Sequence, residues 1–597
     1  MPGLCGYFAP ASSDDLQKEW KGKMVSEHHR QRFFYQDAGF ALGVIERKHG
    51  PEAGSFHESS RAVYGLYGHC FDPATGERLD AASFGRLWEE SGRSLLDRLE
   101  GAFHFLALDR ESRKLTILND RIGILPFYWH RTDRHFSFGP RLRNLATGNA
   151  GWTPDPGAVV NFLSIGHFLG PTTQVREAKF LTPATILEIA NPGLTLAQSR
   201  YWNLVYDPDH RTATADHCRR LGEAILESTS LLCPEDGGNP GIFLSGGWDS
   251  RALLGAMLKL DRPPCLVVAN GASDEIRFSD TWLSKRMAKD LDLPFRFCRR
   301  VPDIGEKLWL DGVHAGEITT ANNPESFGQH RLGPEMFAEI DYIVKGDVTW
   351  GSGDRAPTRD LAIGKILPYP LMDKTKALLT DGLANQADAL YEEQIDGVMS
   401  HCENEDWTER RDYLWQMGGI NRYILGLGIS DEEHVQVRRP LLSGKVFDVY
   451  TKVPGNLRVL KNLFIQSIKE FYPDLFAYGR NHASNIAHYY AYMAPFVRQR
   501  TLAHLDAGHD LGGLLNLQAC RRVIEAFAPK ESGTYIPGRK RQLYNRFHDR
   551  FSHLHHRTRF YSEKHMKKFE TSDTMLAFHI YLLLEWFHGS TEDIAGQ

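Results

Sequence analysis

The chain has 597 residues, of which 24% are charged, and its formal net charge is −5 at pH 7. This length exceeds what one hydrophobic core can organise, so we expect two or three domains, and the charge balance excludes a general affinity for nucleic acid or membrane surfaces. There is no apolar run of about 18 residues to span a membrane, and the first residues lack the pattern of a signal peptide. The eight cysteines form no CxxC pair, so we expect free thiols, no zinc site and a cytoplasmic location.

Residues 1–205 contain many short apolar-alternating runs that are separated by turns. Such a pattern predicts a domain dominated by β-sheet. The clearest runs are AGFALGVIER, RAVYGLYGHCF, AFHFLALDR, KLTILND and HFSFGP.

The most informative segment is the loop Ser245-Gly246-Gly247-Trp248-Asp249-Ser250, which follows an apolar run and precedes an amphipathic helix pattern. The two glycines allow a ligand to approach the backbone closely, and the serines supply hydroxyl groups. The amides at the start of the following helix favour a bound anion. Asp249 adds a carboxylate suited to Mg²⁺, so the segment predicts a phosphate-binding loop. It is not a Walker loop, because no Gly-Lys-Ser/Thr follows at the required spacing.

Further strands and helices alternate with this loop over residues 206–500. The run 265–271 predicts a parallel strand, and we assign Val268 within it to nucleotide binding. A third strand over 343–344 is followed by Asp347, a carboxylate directly after a buried strand. Lys461 stands at the start of a predicted helix, NLFIQSIKEF. The βαβα alternation predicts a nucleotide-binding α/β sheet.

Residues 501–597 are predicted to be a helical C-terminal extension of the preceding domain. Helical patterns occur in LLNLQACRRVIEAFA and TMLAFHIYLLLEWF, and we expect their apolar faces to pack on the preceding domain. The basic, histidine-rich stretch between them fits no metal motif, and a solvated amphipathic helix pair is expected instead.

The pattern SGGxDS resembles the pyrophosphate loop of ATP pyrophosphatases, and about the first five hundred residues resemble asparagine synthetases. In residues 1–205 the resemblance is carried by the turn Asp120-Arg121-Ile122-Gly123 with Pro126-Phe127-Tyr128. It implies an Ntn-type glutaminase-like sandwich over 1–205, followed by an ATP-pyrophosphatase synthetase domain of α/β class over 206–500.

In the glutaminase-like part, the residues on which glutamine hydrolysis depends are missing. In the register set by Gly3, Gly6 and Phe8, Pro2 takes the place of the family's nucleophilic cysteine, and Cys5 falls at a packing position. The family's Asn-Gly-Glu-x-Tyr element is matched only by the run YGHCF at 67–71. The resemblance therefore implies a glutaminase fold without glutaminase activity. The alternative is that processing exposes Cys5 as a new N-terminus.

The resemblance also assigns roles in the synthetase domain, with ATP and Mg²⁺ as cofactors. Lys461 would stabilise charge on pyrophosphate, and Asp347 takes the place of the family's catalytic glutamate. Trp350 replaces the family's next acid, and Asp354 is the substitute that we assign as the second metal ligand beside Asp249. In β-lactam synthetases a tyrosine stands at the position of Asp347 and pairs with a glutamate. We assign that partner to Glu432, with Glu433 as the alternative.

These assignments imply an ATP-dependent ligase that adenylates a carboxylate and joins it to an amine. With no ammonia source evident, the amine belongs to a small amino-acid-derived substrate, and ring closure as in β-lactam synthetases is expected. Three alternatives stay open: a lasso-peptide macrolactam cyclase, an ammonia-dependent asparagine synthetase-like enzyme and a non-catalytic scaffold. A homodimer is also left open.

Overall fold

The computed structural model shows a multidomain α/β protein. It describes residues 1–10, 14–24, 29–48, 50–147, 151–191, 193–329, 333–347, 355–481, 483, 489–528 and 570–589. Among these residues, no helix is both long and apolar enough to cross a membrane.

The first part of the chain forms two six-stranded antiparallel sheets, with the strand orders β10-β8-β9-β1-β3-β2 and β12-β11-β7-β6-β5-β4. The strands are β1 Gly3–Phe8, β2 His29–Gln36, β3 Phe40–Arg47, β4 Gly54–Glu58, β5 Ala62–Phe71, β6 Glu100–Asp109, β7 Leu115–Asn119, β8 Tyr128–Arg131, β9 Phe136–Gly139, β10 Ala178–Phe180, β11 Thr185–Ala190 and β12 Thr195–Arg200.

The two sheets pack face to face, and alternation along β6 shows why. Leu106 and Leu108 point into the core shared with the first sheet, whereas Phe103 and Phe105 point to the opposite face. That outer face is covered by α2 (Ala81–Ser91), so both faces of the sheet are buried. Period-two alternation with two apolar faces therefore gives the sandwich predicted for this region.

The second part of the chain contains a five-stranded parallel sheet with the strand order β15-β14-β13-β16-β17. Its strands are β13 Pro240–Phe243, β14 Leu266–Gly271, β15 Phe295–Arg299, β16 Tyr342–Val344 and β17 Gln436–Arg438. From the central β13 the chain first adds strands on one side and later on the other. The direction of winding thus changes between β13 and β16, the place where open α/β sheets bind ligands.

Helices cover both parts of the chain. The remaining helices, 3₁₀ turns aside, are α1 Asp14–Lys23, α3 Pro156–Ile165, α4 Thr214–Leu232, α5 Trp248–Lys259, α6 Asp280–Asp290, α7 Glu306–Ala315, α8 Asn323–Gln329, α9 Arg359–Gly364, α10 Asp373–Lys376, α11 Asp381–Ala384, α12 Ala387–Met399, α13 Trp407–Leu414, a π-helix Trp415–Ile424, α14 Leu425–Leu427, α15 Ile429–Glu432, α16 Gly444–Tyr450, α17 Gly455–Arg458, α18 Asn462–Phe471, α19 Pro473–Phe476, α20 Tyr489–Asp506, α21 Leu517–Ala526 and α22 Asp573–His588.

The C-terminal helix α22 packs against α20, α21 and α7, and also against α3 of the first part. The His579 Nδ1 donates a hydrogen bond to the Leu163 carbonyl at 2.9 Å, and Trp586 Nε1 donates to Glu317 at 3.0 Å. The extension therefore joins the two parts of the chain rather than covering the synthetase side alone. The predicted boundary at residue 500 lies inside α20, and the basic stretch around 538–560 lies outside the described residues.

The buried His579 predicts acid sensitivity of this packing. Burial lowers the pKa of His579 from 6.5 to about 4, so the folded protein holds the ring neutral while the unfolded chain protonates it. This contribution to stability is complete above pH 6.5 and is lost as the pH falls toward 4. At pH 5 the loss amounts to about 2 kcal/mol for this residue alone.

Thermal unfolding of the wild-type protein and of His579→Asn at neutral pH and at pH 5 measures this contribution. We expect the variant to show the smaller acid-induced drop in melting temperature, because its amide can replace Nδ1–H without titrating. The exposed His210→Asn serves as the matched control and should follow the wild type. Equal pH dependence in all three proteins would contradict the assignment.

Candidate active site

The loop 245–250, which follows the central strand β13, is held in its conformation by hydrogen bonds to its own serines and to Asp280 of α6. The backbone N–H of Gly246 donates to Asp280 Oδ1 at 2.8 Å, and that of Gly247 donates to Ser245 Oγ at 3.1 Å. The hydroxyl groups of Ser245 and Ser250 lie 3.0 Å apart, which ties the start of the loop to the first turn of α5. These contacts fix the turn, and α5 begins at Trp248 with its N-terminus toward the loop.

Arg251 and two aromatic rings support the loop from behind. The fully buried Arg251 guanidinium donates to the Gly246 carbonyl at 2.8 Å and lies 4.8 Å above the Trp248 ring. Trp248 in turn stacks on Phe476 of α19 with ring centroids 4.9 Å apart. The aromatic residue inside the predicted motif thus anchors the loop and does not face a ligand.

The loop after β16 lies directly against this segment. A Cβ atom at Gly346 would come within 2.7 Å of the Asp249 carbonyl carbon and of the Ser250 nitrogen. Only glycine permits that approach, because the neighbouring atoms are backbone and cannot turn aside. The two loops that border the change of winding direction are therefore in contact, and Lys345 and Asp347 are brought to the phosphate loop.

Lys461 reaches the same place from the opposite side. Its Nζ atom lies 2.9 and 2.7 Å from the two carboxylate oxygens of Asp249. Leu460 and Lys461 both have left-handed backbone conformations, with φ of 52° and 59°. Such strain in non-glycine residues is concentrated at functional sites, and here it directs the lysine toward the loop. Burial raises the pKa of Asp249, Lys461 opposes that shift, and the nearby Asp347 adds to it.

A cavity of about 590 Å³ lies beyond the loop, at the carboxyl ends of the parallel strands. Its volume is within the range of small-molecule sites. The wall includes Ser245, Ser250 and Val268, and the amide of Leu244 donates to the Val268 carbonyl at 3.0 Å. The structure thus brings the predicted loop serines and Val268 to one cavity. Its other polar side chains are Asn270, Asp280, Thr281, Arg300, Asn322, Glu325, Ser326, Lys345, Ser430, Asp431 and Asn481.

Glu432, predicted as a catalytic carboxylate, does not line this cavity, and neither do Asp249, Asp347 and Lys461. The described wall contains its neighbour Asp431, whereas Glu432 is buried against Arg439 at 3.2 Å and Arg47 at 3.4 Å. Arg439 also donates to Asp347 at 2.7 Å, so Asp347 and Glu432 share one guanidinium. Glu433, the alternative, is paired with His29 at 2.9 Å.

Sequence reasoning missed Lys345 and Asp431, which face each other on the cavity wall. Lys345 Nζ lies 2.8 Å from Asp431 Oδ2. Burial alone would lower the pKa of Lys345, but Asp431 and Asp347 outweigh it and the pKa is raised, so the pair is ionic. One signal was present: Lys345 precedes Gly346 at the end of a strand, where a charged side chain must face the ligand edge. The choice between Asp431, Glu432 and Glu433 depends on helix phase, which the sequence does not give.

Asp249 is a carboxylate of the kind Mg²⁺ prefers, and Asp280 and Asp347 supply further carboxylates nearby. In this structure Lys461 neutralises Asp249. No group of three side chains is arranged to hold a metal within the described ranges. Asp354, the predicted second ligand, lies outside the described residues, as does Trp350.

In the first domain, neither Cys5, the alternative nucleophile, nor the other cysteine, Cys70, is placed to act as a nucleophile. Cys5 is fully buried in a cluster with Tyr7 and Trp20, and burial raises the pKa of its thiol far above the ordinary value. Cys70, at the end of β5, is also fully buried with a raised pKa. Thiolates are the reactive form of cysteine, so both thiols are held in the unreactive form.

Comparison with known proteins supports the predicted resemblance. Residues 77–202 match the family described as glutamine amidotransferase domain. Over 173 residues the chain is 27% identical to asparagine synthetase (glutamine-hydrolyzing) 3 of Bacillus subtilis (strain 168). This match covers 28% of this chain and 26% of that relative, so the chain spans only about a quarter of the relative's length. The chain is thus similar to an asparagine synthetase over part of its length, and the segment that matches a glutamine amidotransferase domain lies in the first of its two parts.

Solved structures with similarity to the chain include glutamine phosphoribosylpyrophosphate amidotransferase from B. subtilis complexed with ADP and GMP. That likeness has 10% identity and a TM-score of 0.23, and it covers 51% of this chain and 68% of the other. A structure described as the allosteric regulatory enzyme of purine biosynthesis has 9% identity and a TM-score of 0.24. That likeness covers 50% of this chain and 80% of the other. These scores are low, and neither likeness bears on activity.

The contact at Gly346 gives a sharp test of the site. In Gly346→Ala the added methyl group must push the loop after β16 away from Asp249 and Ser250. We expect ATP binding, measured by isothermal titration calorimetry, to weaken at least tenfold, because a shift of about 1 Å in a preorganised site has effects of that size.

The matched control is Gly382→Ala in α11, where no atom lies within 4 Å of the added carbon. It should bind ATP like the wild type. Wild-type affinity in Gly346→Ala would show that ATP does not depend on this loop contact.

Proposed function

We propose that this protein is an ATP-dependent, AMP-forming carbon–nitrogen ligase whose synthetase domain is of the ATP-pyrophosphatase type. One observation carries the proposal: Ser245 and Ser250 of the loop 245–250 and the strand end at Val268 line one cavity at the change of winding direction, and Lys461 contacts Asp249 of the same loop. The similarity to an asparagine synthetase supports the same class of reaction.

In the proposed reaction a substrate carboxylate attacks the α-phosphorus of ATP, and pyrophosphate leaves toward the loop. Ser245, Ser250 and the amides at the start of α5 would hold the departing phosphates. Asp249 would hold Mg²⁺, which shields the phosphate charge when bound. Lys461, released from Asp249, would then lie near the pyrophosphate as a point charge.

An amine then attacks the activated carbonyl carbon, AMP leaves, and the amine gives up a proton. Asp431 is the carboxylate placed to accept that proton, because it lies on the cavity wall while Glu432 does not. Lys345, paired with Asp431, would counter the negative charge that develops on the attacked carbonyl. We therefore assign the base to Asp431.

We propose further that the amine belongs to the substrate and that the product is a small ring, as in β-lactam synthetases. The buried thiols Cys5 and Cys70 leave no nucleophile for ammonia release in the described part of the first domain. The cavity volume and its mixed acidic and basic wall favour a small zwitterionic molecule derived from an amino acid. Macrolactam closure on a peptide is the second candidate.

The proposed ligase activity is tested by incubating the purified protein with ATP, Mg²⁺ and pools of amino-acid-derived carboxylic acids. Release of pyrophosphate and AMP, with a product lighter than its substrates by one water in mass spectrometry, is the expected result. A scaffold would neither bind ATP nor release pyrophosphate, and formation of ADP would exclude the AMP-forming class.

Replacing Asp249 tests its metal role. Asp249→Ala should lower pyrophosphate release by at least 100-fold, because the triphosphate loses its metal site and Lys461 loses its partner. Asp274→Ala, which removes an acid from the same domain, is the control and should keep wild-type turnover. Retained turnover in Asp249→Ala would refute the role of this carboxylate.

The buried thiols give a separate prediction about nitrogen supply. The purified protein should form no glutamate from glutamine above the background of a heat-treated sample, as measured with coupled glutamate dehydrogenase. The physical reason is that neither Cys5 nor Cys70 is exposed or ionised. Glutamate formation that is lost in Cys5→Ser would overturn the proposal that the amine is carried by the substrate.

A further inference from the structure

A row of charged side chains connects the loop 245–250 to the first domain. Lys461 pairs with Asp249 at 2.7 Å, and Asp347 beside Asp249 accepts a hydrogen bond from Arg439 Nε at 2.7 Å. The other end of the Arg439 guanidinium is 3.2 Å from Glu432. The last member of the row is Arg47, which contacts Glu432. Each acid in the row therefore lies next to at least one basic side chain.

Arg47 belongs to β3 of the first sheet, not to the synthetase sheet. Its Nη1 atom donates to the backbone carbonyl of Glu432 at 3.1 Å and lies 3.4 Å from the carboxylate. A single side chain from the first domain therefore fixes both the main chain and the side chain at the end of α15. The neighbouring Glu433 is fixed by His29 and Arg141, also from the first domain.

These ion pairs are buried, so their stability depends strongly on the distances and angles between the partners. Arg439, Glu432 and Arg47 have exposed fractions of 3, 5 and 7%. Removing one partner of a buried ion pair leaves an uncompensated charge, and the remaining groups rearrange to reduce that cost. Without Arg47, Glu432 would draw the shared Arg439 toward itself, and Asp347, beside Asp249, would lose the hydrogen bond that Arg439 donates.

We propose that Arg47 is a positioning residue of the synthetase site, acting through Glu432 and Arg439 to hold Asp347 in place. This inference rests on the proposed function, since it assumes that ATP binds at the loop 245–250. It gives the first domain a task that needs no glutamine chemistry. The domain supplies one wall of a buried ion-pair row that ends at the phosphate loop.

The test is the Mg²⁺ dependence of ATP binding in Arg47→Met, measured by calorimetry on the full chain. We expect the affinity at low Mg²⁺ to fall roughly tenfold, the size of a coupling transmitted through an ion-pair network. Excess Mg²⁺ should recover most of the loss, because the added cation offsets the part of the Asp347 charge that Arg439 no longer neutralises. Arg47→Lys should fall between the wild type and Arg47→Met.

Two further variants separate positioning from general support. Glu100→Gln alters another contact between the domains, in which the Glu100 carboxylate accepts from the Gly444 and Lys445 amides at 2.8 and 3.1 Å. It should leave the Mg²⁺ dependence unchanged even if the melting temperature falls. Arg47→Met and Glu432→Gln should be non-additive when combined, because they act in one network.

The outcomes distinguish this inference from the proposed function. A wild-type protein that binds no ATP would remove both. A wild type that binds ATP, with Arg47→Met folded and unchanged in its Mg²⁺ dependence, would overturn the positioning role alone. A loss of affinity of equal size in Glu100→Gln would also overturn it, since any weakened domain contact would then suffice.

Discussion

The approach of two backbones at Gly346 is the constraint on which the rest of the site depends. With no side chain at this position, the loop after β16 rests on the first turn of α5, and the side chains on either side of Gly346 meet the phosphate loop. Lys345 then faces the cavity and Asp347 lies beside Asp249. The charges introduced by this contact must be balanced, which accounts for the buried arginines and the lysine around it.

Local sequence determined much of this architecture. Alternation predicted the sandwich strands, residue type and order predicted the loop 245–250 and the strand at Val268, and Lys461 was assigned through the resemblance to asparagine synthetases. These features are encoded over a few neighbouring residues. The choice of Asp431 over Glu432 was not, because it depends on the rotation of one short helix against Arg439 and Arg47, which are remote in sequence. The packing of α22 on α3 likewise depends on contacts over some four hundred residues.

These contacts give the first domain a structural connection to the parallel-sheet part of the chain. Part of it matches a glutamine amidotransferase domain and both of its thiols are buried, while three of its basic side chains hold the acidic end of α15. Under the proposed function, the first domain would serve the synthetase site through these charges and not through glutamine chemistry. Fold and activity are separable in this way.

The contact between Lys461 and both oxygens of Asp249 has a consequence for how a nucleotide enters. The loop carries its own counterion, held in place by two strained residues. Under the proposed function, an incoming triphosphate would bring a cation for the carboxylate and an anion for the lysine, so one ion pair would be exchanged for two. Such an exchange would favour a metal–nucleotide complex over a free anion, and the loop would be selective before any chemistry begins.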